Sequence, residues 1–317
     1  MPTVPTRSED MTSAKLKHWR SAVGGCALWL TVALPAQALA VFACEPEWAA
    51  LVRELAPQAQ VRSATHARQD PHHIEARPSL IAALRRADLA VCTGAELEAG
   101  WLPMLQQRAG NPQVRDRAPG MFYASDVVEL IDPQPEGGGP FAGDVHAAGN
   151  PHLQLDPRRL LEVAEALNRE LQALDPPRQA QYQALWAAFD ARWRERIRAW
   201  EHQAAPLKGM RVAAQHSTFA YLWHWLGIEQ VADLEPLPGM PPTPGHLRRV
   251  LEQVRHQPPQ AVVAAAYQDP RSAQWLAQQI GGGAPALRLP ATVDEDGAGL
   301  DTLFDTLIEQ LLAAARQ

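Results

Sequence analysis

The sequence predicts an α/β protein of two lobes, each a mainly parallel sheet covered by helices, joined by one long rigid α-helix. Three observations carry this reading. Short apolar runs at 41–44, 88–93, 210–214 and 261–266 alternate with amphipathic stretches, as in a sheet covered by helices on both faces. Between two such series, Tyr182, Leu185, Trp186, Phe189, Trp193, Ile197 and Trp200 recur at three-and-four spacing, which marks one buried face of a continuous helix. At ~1.5 Å per residue, ~25 residues make a rod of ~37 Å, the span of two small lobes. Finally, 317 residues suffice for two compact domains, each with its own core.

Taken in order, residues 1–40 read as an export signal. Lys15, Lys17 and Arg20 form a positive flank, 22–34 is apolar, and Ala38-Leu39-Ala40 fits a small-x-small cleavage site. The apolar run is too short for a comfortable membrane span. Val23-Gly24-Gly25-Cys26 imitates a lipoprotein site, but the apolar core follows it instead of preceding it. The mature chain is expected to begin near Val41, outside the cytoplasmic membrane. The first lobe, 41–174, opens with a strand ending at Cys44 and a helix from Glu47 to Leu55. A second strand follows at 60–64, then a loop to His73, a helix at 77–86, a strand at 88–93 and a helix to Leu105. A Gly-rich loop spans 133–149, and a helix covers 160–174.

Asp175-Pro176-Pro177 ends that helix, because proline cannot continue it. The connector occupies 175–206. The second lobe, 207–317, repeats the alternation with strands at 210–214, 229–234, 261–266 and 286–289. Its helices lie at 219–226, from 245, up to Ile280, and at 300–314.

Composition narrows the function. A formal net charge of −6 leaves no basic footprint, which argues against a nucleic-acid partner. Ten Trp against four Tyr is unusual, but most of the Trp fall at helical spacing and read as core. Cys44 and Cys92 end two strands; in an oxidising compartment they pair, and as buried free thiols they fill core.

The candidate chemistry lies in histidines. His72 leaves the second strand on the carboxyl edge, where open α/β sheets bind ligands. His152 follows a stiff Asn150-Pro151 step and precedes Asp156-Pro157, a cap and first-turn pair that opens a helix. His216 comes directly after a strand. Neutral imidazole is the commonest transition-metal ligand, and three in matching loops point to a metal. His73 competes with His72, and His146 is either a secondary ligand or a solvated loop residue. His224 and His246 read as structural or surface. For the fourth position Asp269, just past a strand, is the first choice, with Asp294, Glu75 or water as alternatives. Glu75 and Glu45 are candidates for orienting a histidine.

The segments Gln69-Asp-Pro-His-His-Ile-Glu-Ala-Arg-Pro-Ser79, Gly149-Asn-Pro-His-Leu-Gln-Leu-Asp-Pro157 and Ala214-Gln-His-Ser-Thr-Phe-Ala-Tyr221 resemble the three histidine motifs of zinc/manganese solute-binding proteins of ABC importers. The long connector and the loop Pro238-Gly-Met-Pro-Pro-Thr-Pro244 are similar to that family too. The resemblance implies metal in a cleft between two α/β lobes, held by His72 and His152 from the first and His216 from the second. The protein is then no enzyme but a periplasmic carrier, expected to be a monomer, that delivers the ion to a permease in the cytoplasmic membrane. The chain departs from the pattern after the last strand, where 289–293 offers no carboxylate before Asp294, and in its short loop around His146. Histidine at 216, where manganese members usually carry Glu, favours Zn2+ over Mn2+. A secreted zinc hydrolase is the runner-up, since three His and an open position also serve catalysis. It lacks a His-Glu-x-x-His helix and an evident base. The third reading is a metal-independent binder of a small organic solute.

Overall fold

A computed structural model describes residues 38–133, 144, 146–281, 283–294 and 299–316. The expected leader lies outside these residues up to 37, and the cleavage expected near Ala40 falls at the first residue of a strand. Most of the Gly-rich loop is likewise outside the described residues. Among the described residues no helix is long and apolar enough to cross a membrane.

The first sheet contains β1 (Ala40–Ala43), β2 (Gln60–Ser63), β3 (Leu89–Cys92) and β4 (Met121–Tyr123). They pair in parallel in the order β2-β1-β3-β4. Its helices are α1 (Pro46–Leu55), α2 (Pro78–Arg85), α3 (Leu102–Ala109) and α4 (Pro157–Leu174). Each begins with proline at the first or second position, where the missing N–H has no helical partner to lose. Strand β4 was not anticipated: three residues between turns carry too little alternation to stand out. The helix expected to run from residue 94 to Leu105 starts late, at Leu102. Ala95 and Glu96 take positive φ, +48° and +68°, which no helix accommodates.

The connector α5 (Gln179–Ala204, 26 residues) follows. Beyond it come β5 (Arg211–Ala214), α6 (Ala220–Leu226), β6 (Glu229–Asp233), α7 (Pro244–Val254), β7 (Ala261–Ala265), α8 (Arg271–Ile280), β8 (Ala286–Leu289) and α9 (Leu300–Ala315). These strands also pair in parallel, in the order β6-β5-β7-β8. Both sheets therefore reverse strand order beside their first strand, and the crevice at that switch point is the favoured binding place in open α/β sheets.

The core explains the placement of the connector. One face of the first sheet buries Phe42, Ala90 and Cys92 against Leu84 and Leu105; the matching face of the second buries Val262 and Ala264 against Val250 and Leu276. The remaining faces share one continuous apolar cluster, from Val41 and Val91 through Trp193 and Trp200 to Val212 and Val263. Phe189 stacks on Trp193 at 5.2 Å, and Trp200 meets Phe304 of α9 at 4.9 Å. Both indoles keep their N–H groups bonded, Trp193 to the Pro157 carbonyl and Trp200 to Asp305. Arg192 of α5 bridges Glu54 of α1 (2.9 Å) and Asp301 of α9 (2.5 Å). Shared burial and these ties lock α5 to both halves, so wide hinge bending would have to expose the aromatic core.

Cys44 and Cys92 form a disulfide between the ends of β1 and β3. Of the two states that the sequence allows, the structure has the bonded one.

Candidate metal centre

Three loops leave the carboxyl ends of strands, or start a helix, and bring their imidazoles together. His72 comes from the turn after β2. His152 sits directly before the short helical turn Leu153–Leu155 that leads into α4. His216 lies two residues past β5. All three are buried, and one ring nitrogen of each lies within 4.8 Å of the others'. Their ring centroids form a triangle with 5.5 Å sides.

Local sequence fixes each ring. Asp70 accepts from the His72 backbone N–H and bonds Nδ1 of the ring at 2.8 Å. The Asn150 side chain accepts from the His152 N–H and donates to the Ser217 carbonyl, while the Tyr221 hydroxyl donates to the Asn150 carbonyl. One residue thus ties the His152 loop to the His216 loop. His216 itself is held at φ +65°, a conformation that costs a non-glycine residue free energy and persists where surroundings enforce it. Its backbone N–H donates to Asp233 and its Nδ1 meets Glu235 at 3.0 Å.

With Nδ1 of His72 and His216 occupied by carboxylates, Nε2 is left for a ligand. Two nitrogens bound to one tetrahedral Zn2+ at ~2.0–2.1 Å stand about 3.3–3.4 Å apart. Nε2 of His152 and Nε2 of His216 are 3.4 Å apart, and Nε2 of His72 and Nε2 of His146 are 3.3 Å apart. His146 is buried beside the trio, so the solvated reading of that residue gives way.

The electrostatics favour neutral donors. Burial pushes the His152 pKa well below its ordinary value, and the neighbouring His216, His72 and His146 push it further. Burial, then His72 and His216, lower His146 to about 4. His216 goes the other way: burial opposes its charge, but the bond to Glu235 and the charges of Glu235 and Asp233 outweigh it and raise the pKa.

The other predicted ligands stand elsewhere. Asp269 lines the same cavity as His72 and His216, a cleft of about 580 Å³, but it is not part of the donor trio. It accepts from the Arg271 backbone N–H and guanidinium, and that bonding lowers its pKa to about 2. His73, Glu75 and Asp294 are exposed. His224 is exposed, and His246 meets the Asp233 carbonyl through Nε2 at 2.9 Å. The orienting carboxylates Asp70 and Glu235 were missed. A signal for the first existed, an Asp two residues before a His in a turn; Glu235, nineteen residues beyond His216, gave none.

Among the described residues one further donor cluster appears, Cys44, Cys92 and Glu98. The disulfide occupies both sulfurs, so it offers no thiolate.

Comparison with known proteins places this geometry. The family model described as zinc-uptake complex component A, periplasmic (ZnuA), matches residues 41–314. The zinc-binding lipoprotein AdcA of Streptococcus pneumoniae is 24% identical over 213 residues, covering 67% of this chain and 41% of the relative. The chain thus spans about two fifths of the length of the curated relatives it matches. Among solved structures, that of ZnuA superposes with a TM-score of 0.72 at 20% identity, covering 88% of this chain and 100% of the other. The laminin-binding adhesin of Streptococcus agalactiae gives 0.69 at 22% identity, covering 86% and 99%. A Mn-bound periplasmic metal-binding protein of Candidatus Liberibacter asiaticus gives 0.68 at 17%, covering 86% and 98%. These likenesses show the fold: two α/β lobes and a long helix. With the family model covering residues 41–314, this chain belongs to the periplasmic zinc-uptake component A (ZnuA) family of metal-importer binding proteins.

Proposed function

We propose that the protein captures a divalent transition metal, Zn2+ before Mn2+, in the interlobe cleft and delivers it to an ABC permease. The observation that carries this is the buried trio His72, His152 and His216, whose ligand nitrogens all lie within 4.8 Å of one another, with Nε2 of His152 and His216 spaced as on one tetrahedral ion. Imidazole donors suit zinc better than the harder manganese ion. The fourth position falls to His146, already 3.3 Å from His72, or to water, in preference to the Arg271-bound Asp269. The boundaries 41–174, 175–206 and 207–317 are our division of the chain after cleavage of an export signal, and we take the carrier to act as a monomer. A modest lobe or loop movement releases the ion, because α5 resists a wide one. The related structures bear on the choice of ion: one is of a zinc-bound ZnuA deletion mutant and another of a Mn-bound periplasmic metal-binding protein.

The test is metal content and competitive titration against a chromogenic chelator, with wild type beside His152→Ala and His216→Ala. One tightly held Zn2+ per chain, weakened in both variants, supports capture in the cleft. Zinc retained equally without either histidine overturns it. Turnover of a peptide or ester by the loaded protein, lost in His152→Ala, would favour a hydrolase instead.

A further inference from the structure

Against His152 of the metal centre lies a small cavity of about 20 Å³. Its walls include His152, Gln154, Glu45, Gln69 and, from the second lobe, Tyr267 and Thr292. Three buried oxygens on those walls accept no bond from an N–H or hydroxyl: Glu45 Oε1, Gln154 Oε1 and Gln69 Oε1, although the Glu45 carboxyl also hydrogen-bonds the neighbouring Glu98 carboxyl. Glu45 and Gln154 are 2% and 5% exposed, so bulk water does not satisfy them. A buried acceptor without a donor is costly, and the two on Glu45 and Gln154 call for a common donor.

The assignment of these oxygens is set by their other contacts. Gln154 donates through Nε2 to the Ala291 carbonyl, which turns its Oε1 away from that bond. Glu45 accepts from the Thr93 hydroxyl on Oε2, and that hydroxyl accepts in turn from the Trp48 indole. Among the described residues no side-chain bond fixes the Gln69 amide, so it can present its oxygen or its NH2.

His152 supplies the missing donor. Its Nε2 faces His216, so the proton of the neutral ring sits on Nδ1. Metal-binding histidines donate that second N–H to a carboxylate, a carbonyl or a water. His72 and His216 have Asp70 and Glu235 there; among the described residues His152 Nδ1 has no protein partner, and the ring forms part of the cavity wall.

We infer that this cavity holds one ordered water that accepts from His152 Nδ1–H and donates to Glu45 Oε1 and Gln154 Oε1. The inference rests on His152 being a metal ligand. About 10–15 Å³ of such space admits one water, and buried waters average about three hydrogen bonds; this cavity provides the room and those three partners. Glu45 and Gln154 are then positioning residues. They act through the water to fix the tautomer and plane of His152, the one ligand of the trio without a direct carboxylate. The Thr93–Trp48 chain anchors Glu45 in turn, at strand ends joined by the Cys44–Cys92 disulfide.

The experiment has two parts, both on the full chain. A high-resolution crystal structure, with and without Zn2+, is expected to show one water within hydrogen-bond distance of His152 Nδ1, Glu45 Oε1 and Gln154 Oε1. An empty cavity overturns the inference, and so does a peak whose anomalous signal or short contacts mark a cation. Chelator competition then compares Gln154→Met and Glu45→Met, which remove an acceptor, with Glu45→Gln, which keeps one. The first two are expected to weaken Zn2+ binding by about 10–100-fold and Glu45→Gln to retain wild-type affinity. Unchanged affinity in both Met variants overturns the positioning role. If a Met variant does not fold, the water and the remaining variant decide. A wild-type chain that holds no Zn2+ refutes the metal reading itself, while a water bridging the three atoms or its lack still decides this one.

Discussion

Replacing Glu235 separates two contributions that one side chain makes to the centre. The carboxylate is 8% exposed; it bonds His216 Nδ1 at 3.0 Å and accepts from the Gly239 N–H at 2.8 Å. It aims the ring, and its charge raises the His216 pKa. Loss of such an orienting partner typically costs a metal site about 10–100-fold, or about 1.4–2.7 kcal/mol. Glu235→Ala should lose this affinity near pH 7.5. Glu235→Gln keeps an oxygen for the N–H and should lose less. The charge acts in the opposite direction in acid. Zn2+ must displace the His216 proton, so a raised pKa makes wild-type affinity begin to fall at a higher pH. Both variants remove that charge, and the acid limb of their affinity profiles should move to lower pH. Chelator competition from pH 5 to 8 reads both effects. Equal affinity at pH 7.5 together with an unmoved acid limb would refute the assigned role of Glu235.

Three further predictions concern stability in the metal-free chain. Burial raises Glu47 to about 7, with the Thr292 hydroxyl bond opposing it. Since the folded pKa lies above the unfolded one, its contribution is full below ~4.3 and is lost as pH rises through 7. Glu47→Gln, which cannot ionise, should therefore gain stability over wild type at pH 8, on the order of 2 kcal/mol, and little at pH 5. His152, depressed by burial, has the opposite sign: its contribution is present above ~6.5 and lost as pH falls, so wild type should also weaken in acid. Urea unfolding across this range checks both limbs. Trp193→Ala empties a fully buried site at the junction of α5, α4 and α9 and should cost about 3–5 kcal/mol, read as a lower urea midpoint with an unchanged slope.

Much of this architecture was legible because its signals are local. The Trp-rich three-and-four spacing between Tyr182 and Trp200 marks α5 without reference to anything distant, and the apolar runs mark seven of the eight strands. The histidine motifs identified the trio for the same reason: each His sits in a loop constrained by its own neighbours, Asn150-Pro151 or the end of β5. What was hidden depends on contacts between distant segments. Glu235 reaches His216 only because β5 and β6 pair in parallel, which brings their carboxyl ends together. Asp269 resembled a ligand by position after β7, yet a guanidinium two residues away claims its oxygens. Glu45 looked like a possible orienting group, and the structure gives it a place that no spacing in the sequence reveals, on the wall of a cavity shared with His152. Whether Cys44 and Cys92 bond likewise follows from β1 and β3 being neighbours.

The central claim is that one ion sits among His72, His152 and His216. It is tested most directly by the crystal structure of the zinc-loaded chain, refined with anomalous data at the zinc edge. The account predicts a single strong peak about 2.0–2.1 Å from Nε2 of all three rings, with His146 or a water as the fourth neighbour. A peak that omits His152 or His216, or that lies on Asp269 at the cleft mouth, would contradict it.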